Sequence, residues 1–128
     1  VSKILYTDTE SEEAEKRKHE RLVQAYNSYK DRHGGSDLTL NQYEELVEVY
    51  GDLSNLLFEY GYEDEEVKET VMQALEEGIK KGLTKREIEA LLLAHRRAVK
   101  QLPTAKARAA YLVRIIQQAA EEKAGGLV

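Results

Sequence analysis

The 128-residue sequence has no cysteine and no tryptophan, and only one proline, one phenylalanine and one methionine. Without cysteine there is no disulfide framework, no thiolate metal site and no thiol nucleophile. With a single proline, at position 103, little in the chain interrupts a helix. No apolar run approaches the roughly 18–20 residues that cross a bilayer, so no membrane span is expected. The opening Val1-Ser2-Lys3-Ile4-Leu5-Tyr6 is too short and too soon polar for a signal peptide. No segment alternates with period two over a useful length, which excludes a sheet protein.

Catalytic motifs are missing too. The three histidines, His19, His33 and His95, share no i, i+3 or i, i+4 spacing with enough other ligands for a helical metal site. Glu63-Asp64-Glu65-Glu66 lacks the glycine and ligand spacing of a calcium loop and reads as a helix N-terminus. Gly34-Gly35 and Gly125-Gly126 read as helix stops rather than phosphate loops, and no serine sits in an elbow motif. The expectation is a protein that is not an enzyme and carries no metal or cofactor.

What the chain does have is charge, and the charge is segregated. Residues 34–77 hold thirteen carboxylates and one lysine, whereas residues 78–118 hold ten cations against Glu87 and Glu89. A chain that reverses sign in this way is built to meet something charged, either nucleic acid or another copy of itself. Few asparagines, one methionine and abundant Glu, Lys and Arg fit a protein from a hot environment.

The periodicity predicts an all-α bundle of about five helices with an N-terminal helical arm: residues 1–33 form the arm and 34–128 the bundle, within one domain. Residues 1–7 form a short lead-in that could be extended. The arm helix starts near Asp8 with a capping pattern at Thr9-Glu10-Ser11-Glu12, and it has an apolar stripe only in its second half, at Leu22, Val23, Tyr26 and Tyr29. Its first half carries Lys16, Arg17, Lys18 and Arg21. Helix two starts after the capping box Thr39-Leu40-Asn41-Gln42 and runs to about Tyr60. Helix three covers Asp64 to Gly82, helix four runs from the box Thr84-Lys85-Arg86-Glu87 to Leu102 before Pro103, and helix five runs from Thr104 to about Lys123.

Two helices have unusually wide apolar arcs. On helix two, Tyr43, Val47 and Phe58 widen an arc already formed by Leu46, Val49, Tyr50, Leu53, Leu56, Leu57 and Tyr60. On helix five, Tyr111 and Ile115 belong to a similar arc. Such arcs are wider than one neighbour covers, so helix two is either central in the bundle or shared with another subunit, and Tyr43, Val47, Phe58, Tyr111 and Ile115 are the expected subunit contacts. Gly51 costs about 1 kcal/mol in a helix interior relative to alanine, which close packing or a slight kink would explain. Arg108 falls inside the apolar arc of helix five and must reach an anion or snorkel to water. His95 projects from the middle of the apolar face of helix four and reads as a hydrogen-bonded core residue.

The candidate nucleic-acid-binding residues are Lys85, Arg86, Arg96, Arg97 and Lys100 on helix four, with Leu93 exposed among them, and Lys106, Arg108 and Arg114 on helix five. The arm cations assist. An unrelieved positive face is the footprint of phosphate, although the same face could pair with the acidic helices of its own chain or the next. No helix-turn-helix, zinc finger or basic zipper is present, so sequence-specific readout is not expected.

The polar arm, the basic helices and the wide apolar arcs together resemble the small α-helical major coat proteins of filamentous viruses that infect hyperthermophilic archaea. That resemblance implies a virion protein whose subunits, this one or a related one, wrap double-stranded DNA held in A-form inside a helical tube. The segment Ala74 to Ile88, followed by Leu91 and His95, also looks like the helical N-terminal domain of stress-response phosphatases of the RsbU type and the C-terminal domain of the clock protein KaiA. That second likeness implies a cytoplasmic, dimeric signalling module that binds a protein partner.

Overall fold

A computed structural model describes residues 2–34, 37–59 and 61–125, and side chains among these from residue 11 onward. Gly35, Tyr60 and Gly126, which the sequence assigns to helix ends or an apolar arc, lie outside the described residues. The structure is all-α, with α1 at Ser2–Arg32, α2 at Leu40–Leu57, α3 at Glu65–Lys80, α4 at Lys85–Lys100 and α5 at Ala105–Gly125. The chain separates into two compact units, Val1–Leu40 and Asn41–Val128.

The first unit is α1 with the loop that follows it. The lead-in expected to be extended is helical from Ser2. Nothing between Ser2 and Asp8 is a proline or glycine, so the capping pattern at Thr9 lies inside a helix that has no reason to start there. Residues 11–21 are exposed all round, as a helix with a single apolar residue in that stretch must be. The second half gains side-chain anchors. Tyr29 is buried and its ring stacks on His33 at 4.1 Å, while His33 Nδ1 donates to the Tyr29 carbonyl at 2.9 Å. Tyr26 Oη donates to the Leu38 carbonyl at 2.5 Å, which ties the loop back to the helix.

In the second unit α5 is the shared member, with α3 and α4 both packed on it. The fully buried side chains Leu75, Val71, Ile88, Val99, Leu112 and Ile116 come from these three helices. Burying each is worth roughly 1.5–3 kcal/mol. Helix ends are set by local chemistry. The Asp64 carboxylate accepts from the Glu66 and Val67 amides at 2.9 and 3.3 Å. Thr84 and Glu87 close a reciprocal capping box, and Thr104 Oγ1 accepts from the Ala107 amide at 3.1 Å. At the end of α3 the Gly82 amide bonds the Ile79 carbonyl and the Leu83 amide bonds the Gly78 carbonyl, both at 3.0 Å, with Gly82 at φ 110°. This is a Schellman closure. It swings Leu83 back so that its Cδ1 lies 3.0 Å from where a Cβ on Gly78 would be, with Ile116 Cγ2 at 3.3 Å. Gly78 is therefore a point of close approach between α3 and α5. Gly78→Ala gains helix propensity against a small clash, so it is expected to be near neutral. Gly78→Val is expected to cost about 1–3 kcal/mol through overpacking, measured by chemical denaturation.

α2 ends at Leu57, short of Tyr60. Its last turn and the residues just past it serve Arg108 instead: the Leu56 carbonyl and the Glu59 carboxylate both accept from that side chain. α4 likewise stops at Lys100, before Leu102, with the Lys100 and Leu102 carbonyls directed at the same guanidinium. Of the apolar residues on or just after α4, Ile88 and Val99 are buried, whereas Leu91, Leu92 and Leu102 are half-buried.

Candidate nucleic-acid interface

The candidate phosphate-binding cations of the second unit, taken with Lys123, fall into three groups by what surrounds them. The first group is Arg108 alone, and here the sequence expectation is corrected. Arg108 is 5% exposed. Its Nε donates to the Leu102 carbonyl at 3.0 Å and its Nη2 to the Lys100 carbonyl at 3.0 Å. Its Nη1 donates to the Leu56 carbonyl at 2.7 Å and the Glu59 carboxylate at 3.1 Å. The guanidinium closes the carbonyl ends of α2 and α4, where the helix dipoles favour a cation. It has no surface to offer a phosphate.

The second group is paired at the surface. Lys85 Nζ lies 2.6 Å from Glu48 of α2 and 3.8 Å from Glu89, and the bond to Glu48 is the main reason its pKa rises above the ordinary lysine value. Lys123 Nζ lies 2.9 Å from Glu87, whose pKa falls below the usual carboxylate range chiefly because of that bond. Exposed pairs of this kind add little stability, but they do occupy Lys85.

The third group is open. Arg86, Arg96, Arg97, Lys100, Lys106 and Arg114 are exposed, and among the described residues no carboxylate lies within 4.0 Å of any of them. At 3.6 residues per turn, Arg86 and Arg97 lie within about 20° of each other around α4. Lys100 lies about 40° and Arg96 about 80° from Arg86 in the other direction. Arg96 and Lys100 line a groove of about 380 Å³ between α4 and α2, whose walls also include Asp52, Glu59 and Glu89, with Leu56, Leu92 and Leu93 among its apolar lining. On α5, Arg114 lies over the Tyr111 ring at 5.5 Å, and Tyr111 is joined to His95 of α4 by a 2.7 Å hydrogen bond. That bond gives His95 the hydrogen-bond partner the sequence suggested, although the residue is half-buried rather than in the core, and it ties α4 to α5. In the first unit Lys16, Arg17, Lys18 and Arg21 are exposed, and Arg17 Nε donates to the Glu13 carbonyl at 3.4 Å.

Two expected subunit contacts are also corrected. Tyr43 is 7% exposed and Ile115 is 8% exposed, so both side chains are spent inside the chain. Val47 is 41% exposed, and Phe58 and Tyr111 are half-buried. Among the described residues no group of three or more His, Asp or Glu could hold a metal ion, and no helix is long and apolar enough to cross a membrane. No protein-family model, no curated protein and no solved structure matches this chain.

Proposed function

We propose that this chain is a structural, self-assembling subunit that holds a nucleic-acid backbone without reading its bases, as the coat proteins of filamentous archaeal viruses do. The observation that carries the reading is the set of exposed cations on α4 and α5 that, among the described residues, have no carboxylate within 4.0 Å. Guanidinium and ammonium groups with no internal anion gain most from phosphate, and each contact releases condensed counterions. Arg86, Arg97, Lys106 and Arg114 are the principal phosphate ligands, and the arm cations of α1 add to them. The sequence carries no helix-turn-helix, zinc finger or basic zipper, and phosphate contacts by themselves carry no base information, so the binding in this reading is sequence-independent.

A second reading, a small dimeric interaction module, draws on one specific observation. The groove holding Arg96 and Lys100 also contains Asp52, Glu59 and Glu89, and carboxylates there repel phosphate while suiting a protein surface of mixed sign. The two readings separate in one experiment. The full chain is mixed with duplex DNA of random sequence and followed by sedimentation and electron microscopy across a salt series. Large assemblies that carry DNA at low salt and release it steeply as salt rises are the expected result. A discrete small oligomer that ignores DNA at moderate salt overturns the coat reading in favour of the second.

A further inference from the structure

Gly51 lies in the interior of α2, and among the described residues nothing packs where its side chain would be. Gly78 and Gly82 each explain themselves, the first by close packing and the second by a positive φ. A Cβ on Gly51 would meet nothing within 4 Å, and its φ is not in the left-handed region. The neighbours on that face follow the alternating four- and three-residue spacing of a helix–helix seam: Val47, Gly51, Ser54 and Phe58. Val47 is 41% exposed and Phe58 half-buried. Ser54 Oγ donates back to the Gly51 carbonyl at 2.9 Å, so its hydroxyl proton is already placed. The seam is apolar at its ends and shallow at its centre, which is the shape that admits the side chain of a crossing helix. One edge of it is acidic, with Glu44, Glu48 and Asp52 exposed in successive turns; Glu48 already holds Lys85 of its own chain and Asp52 borders the groove of Arg96 and Lys100, which leaves Glu44 as the carboxylate farthest from the chain's own cations.

The complementary ridge exists in the same chain. Leu93 stands at the rim of the groove between α4 and α2 with 77% of its surface exposed, and Arg96 and Lys100 follow it one and two turns on. Pairing α2 with α2 would set carboxylates against carboxylates, whereas α4 brings a single apolar knob flanked by cations. We infer that α2 of one copy receives α4 of a second copy, with Leu93 seated over Gly51 and Ser54 and with Arg96 and Lys100 against the acidic edge. This contact uses the groove-side cations and leaves Arg86, Arg97, Lys106 and Arg114 free. It rests on the self-assembly half of the proposed function and is independent of the nucleic-acid half.

The test is made on the full chain after nuclease treatment, by sedimentation and by thermal melting. Gly51→Leu fills the seam and places a better helix former in open space, so it is expected to melt no lower than wild type while its self-association weakens by at least about tenfold. Because the sequence has no cysteine, a crosslink is clean: Gly51→Cys protein mixed with Leu93→Cys protein is expected to oxidise mainly to the mixed disulfide. Gly51→Leu protein that associates like wild type overturns the contact, as does Gly51→Cys protein that crosslinks to itself as readily as to Leu93→Cys protein. A wild-type chain that stays monomeric without nucleic acid removes the self-assembly reading itself, an outcome distinct from an assembly indifferent to position 51.

Discussion

Arg108→Ala is expected to destabilise the second unit by about 3–5 kcal/mol, with a fall in Tm of more than about 10 °C, read by calorimetry or circular dichroism. The size follows from what the guanidinium holds. Three carbonyls, at Leu56, Lys100 and Leu102, are acceptors at helix ends, and Arg108 donates to all of them as well as to Glu59. Truncation leaves those acceptors without a donor in a place water reaches poorly, and it leaves Glu59 without its cation. It also opens space where a long side chain had filled the junction of α2, α4 and α5. Arg108→Lys is expected to recover only part of the loss. A lysine ammonium is one point with three donors, whereas the bonds here leave from three nitrogens of a planar fork toward two different helix ends. DNA binding supplies the contrast. A residue that neutralises phosphate lowers affinity and leaves Tm unchanged, whereas Arg108→Lys is expected to lower Tm and, at temperatures where the variant stays folded, to leave the salt dependence of DNA binding as it was. A variant that keeps the wild-type Tm and loses DNA affinity would return Arg108 to the interface.

The role of Arg108 is half legible in the sequence. Its position inside the apolar arc of α5 requires an anion or an escape to water, but the sequence offers no way to find Glu59, 49 residues away, or the open carbonyls of two helix ends. The same holds for Lys85 and Glu48, 37 residues apart, which a helical wheel places on separate cationic and acidic faces and tertiary packing joins. Local grammar fares better because its physics is local. Asp64, Thr84, Thr104 and Gly82 satisfy amides and carbonyls within a few residues of themselves, and all four act as their positions imply. The lead-in fails for the complementary reason. A capping pattern at Thr9 marks where a helix could begin, but only a breaker upstream would force it to, and Ser2 to Asp8 contains none. The wide arcs of α2 and α5 are real, but an arc records which residues are apolar and not how many neighbours cover them. Tyr43 and Ile115 are covered inside the chain, while Val47 and Leu93 are not. Gly51 stands out in the sequence as a helix-interior glycine, yet only the empty space around it turns attention from close packing within the subunit to contacts beyond it.

Replacing Arg86, Arg97, Lys106 and Arg114 together with glutamine is expected to flatten the salt dependence of duplex DNA binding. On B-form DNA each phosphate contact contributes about 0.9 to the slope of log affinity against log salt, so four lost contacts remove roughly 3 to 4. Raising salt from about 50 to 200 mM would then cost the wild type on the order of a hundredfold more affinity than the variant. Stability is the internal control. All four side chains are exposed, and among the described residues none is held by a carboxylate; the ring contact of Arg114 with Tyr111 is the one packing interaction lost. Surface changes of this kind are usually within about 0.5 kcal/mol each, so the variant should melt close to wild type. The companion variant replaces Arg96 and Lys100. If the groove they line takes a protein surface, their loss weakens self-association and moves the DNA slope much less than the four-residue change does. Should the four-residue variant keep the wild-type slope while the Arg96 and Lys100 variant loses it, the phosphate face has been placed on the wrong side of α4. Should neither alter DNA binding, the charge reversal along this chain serves contacts between proteins, and the acidic helices of one copy are the anion that the basic helices of another were built to meet.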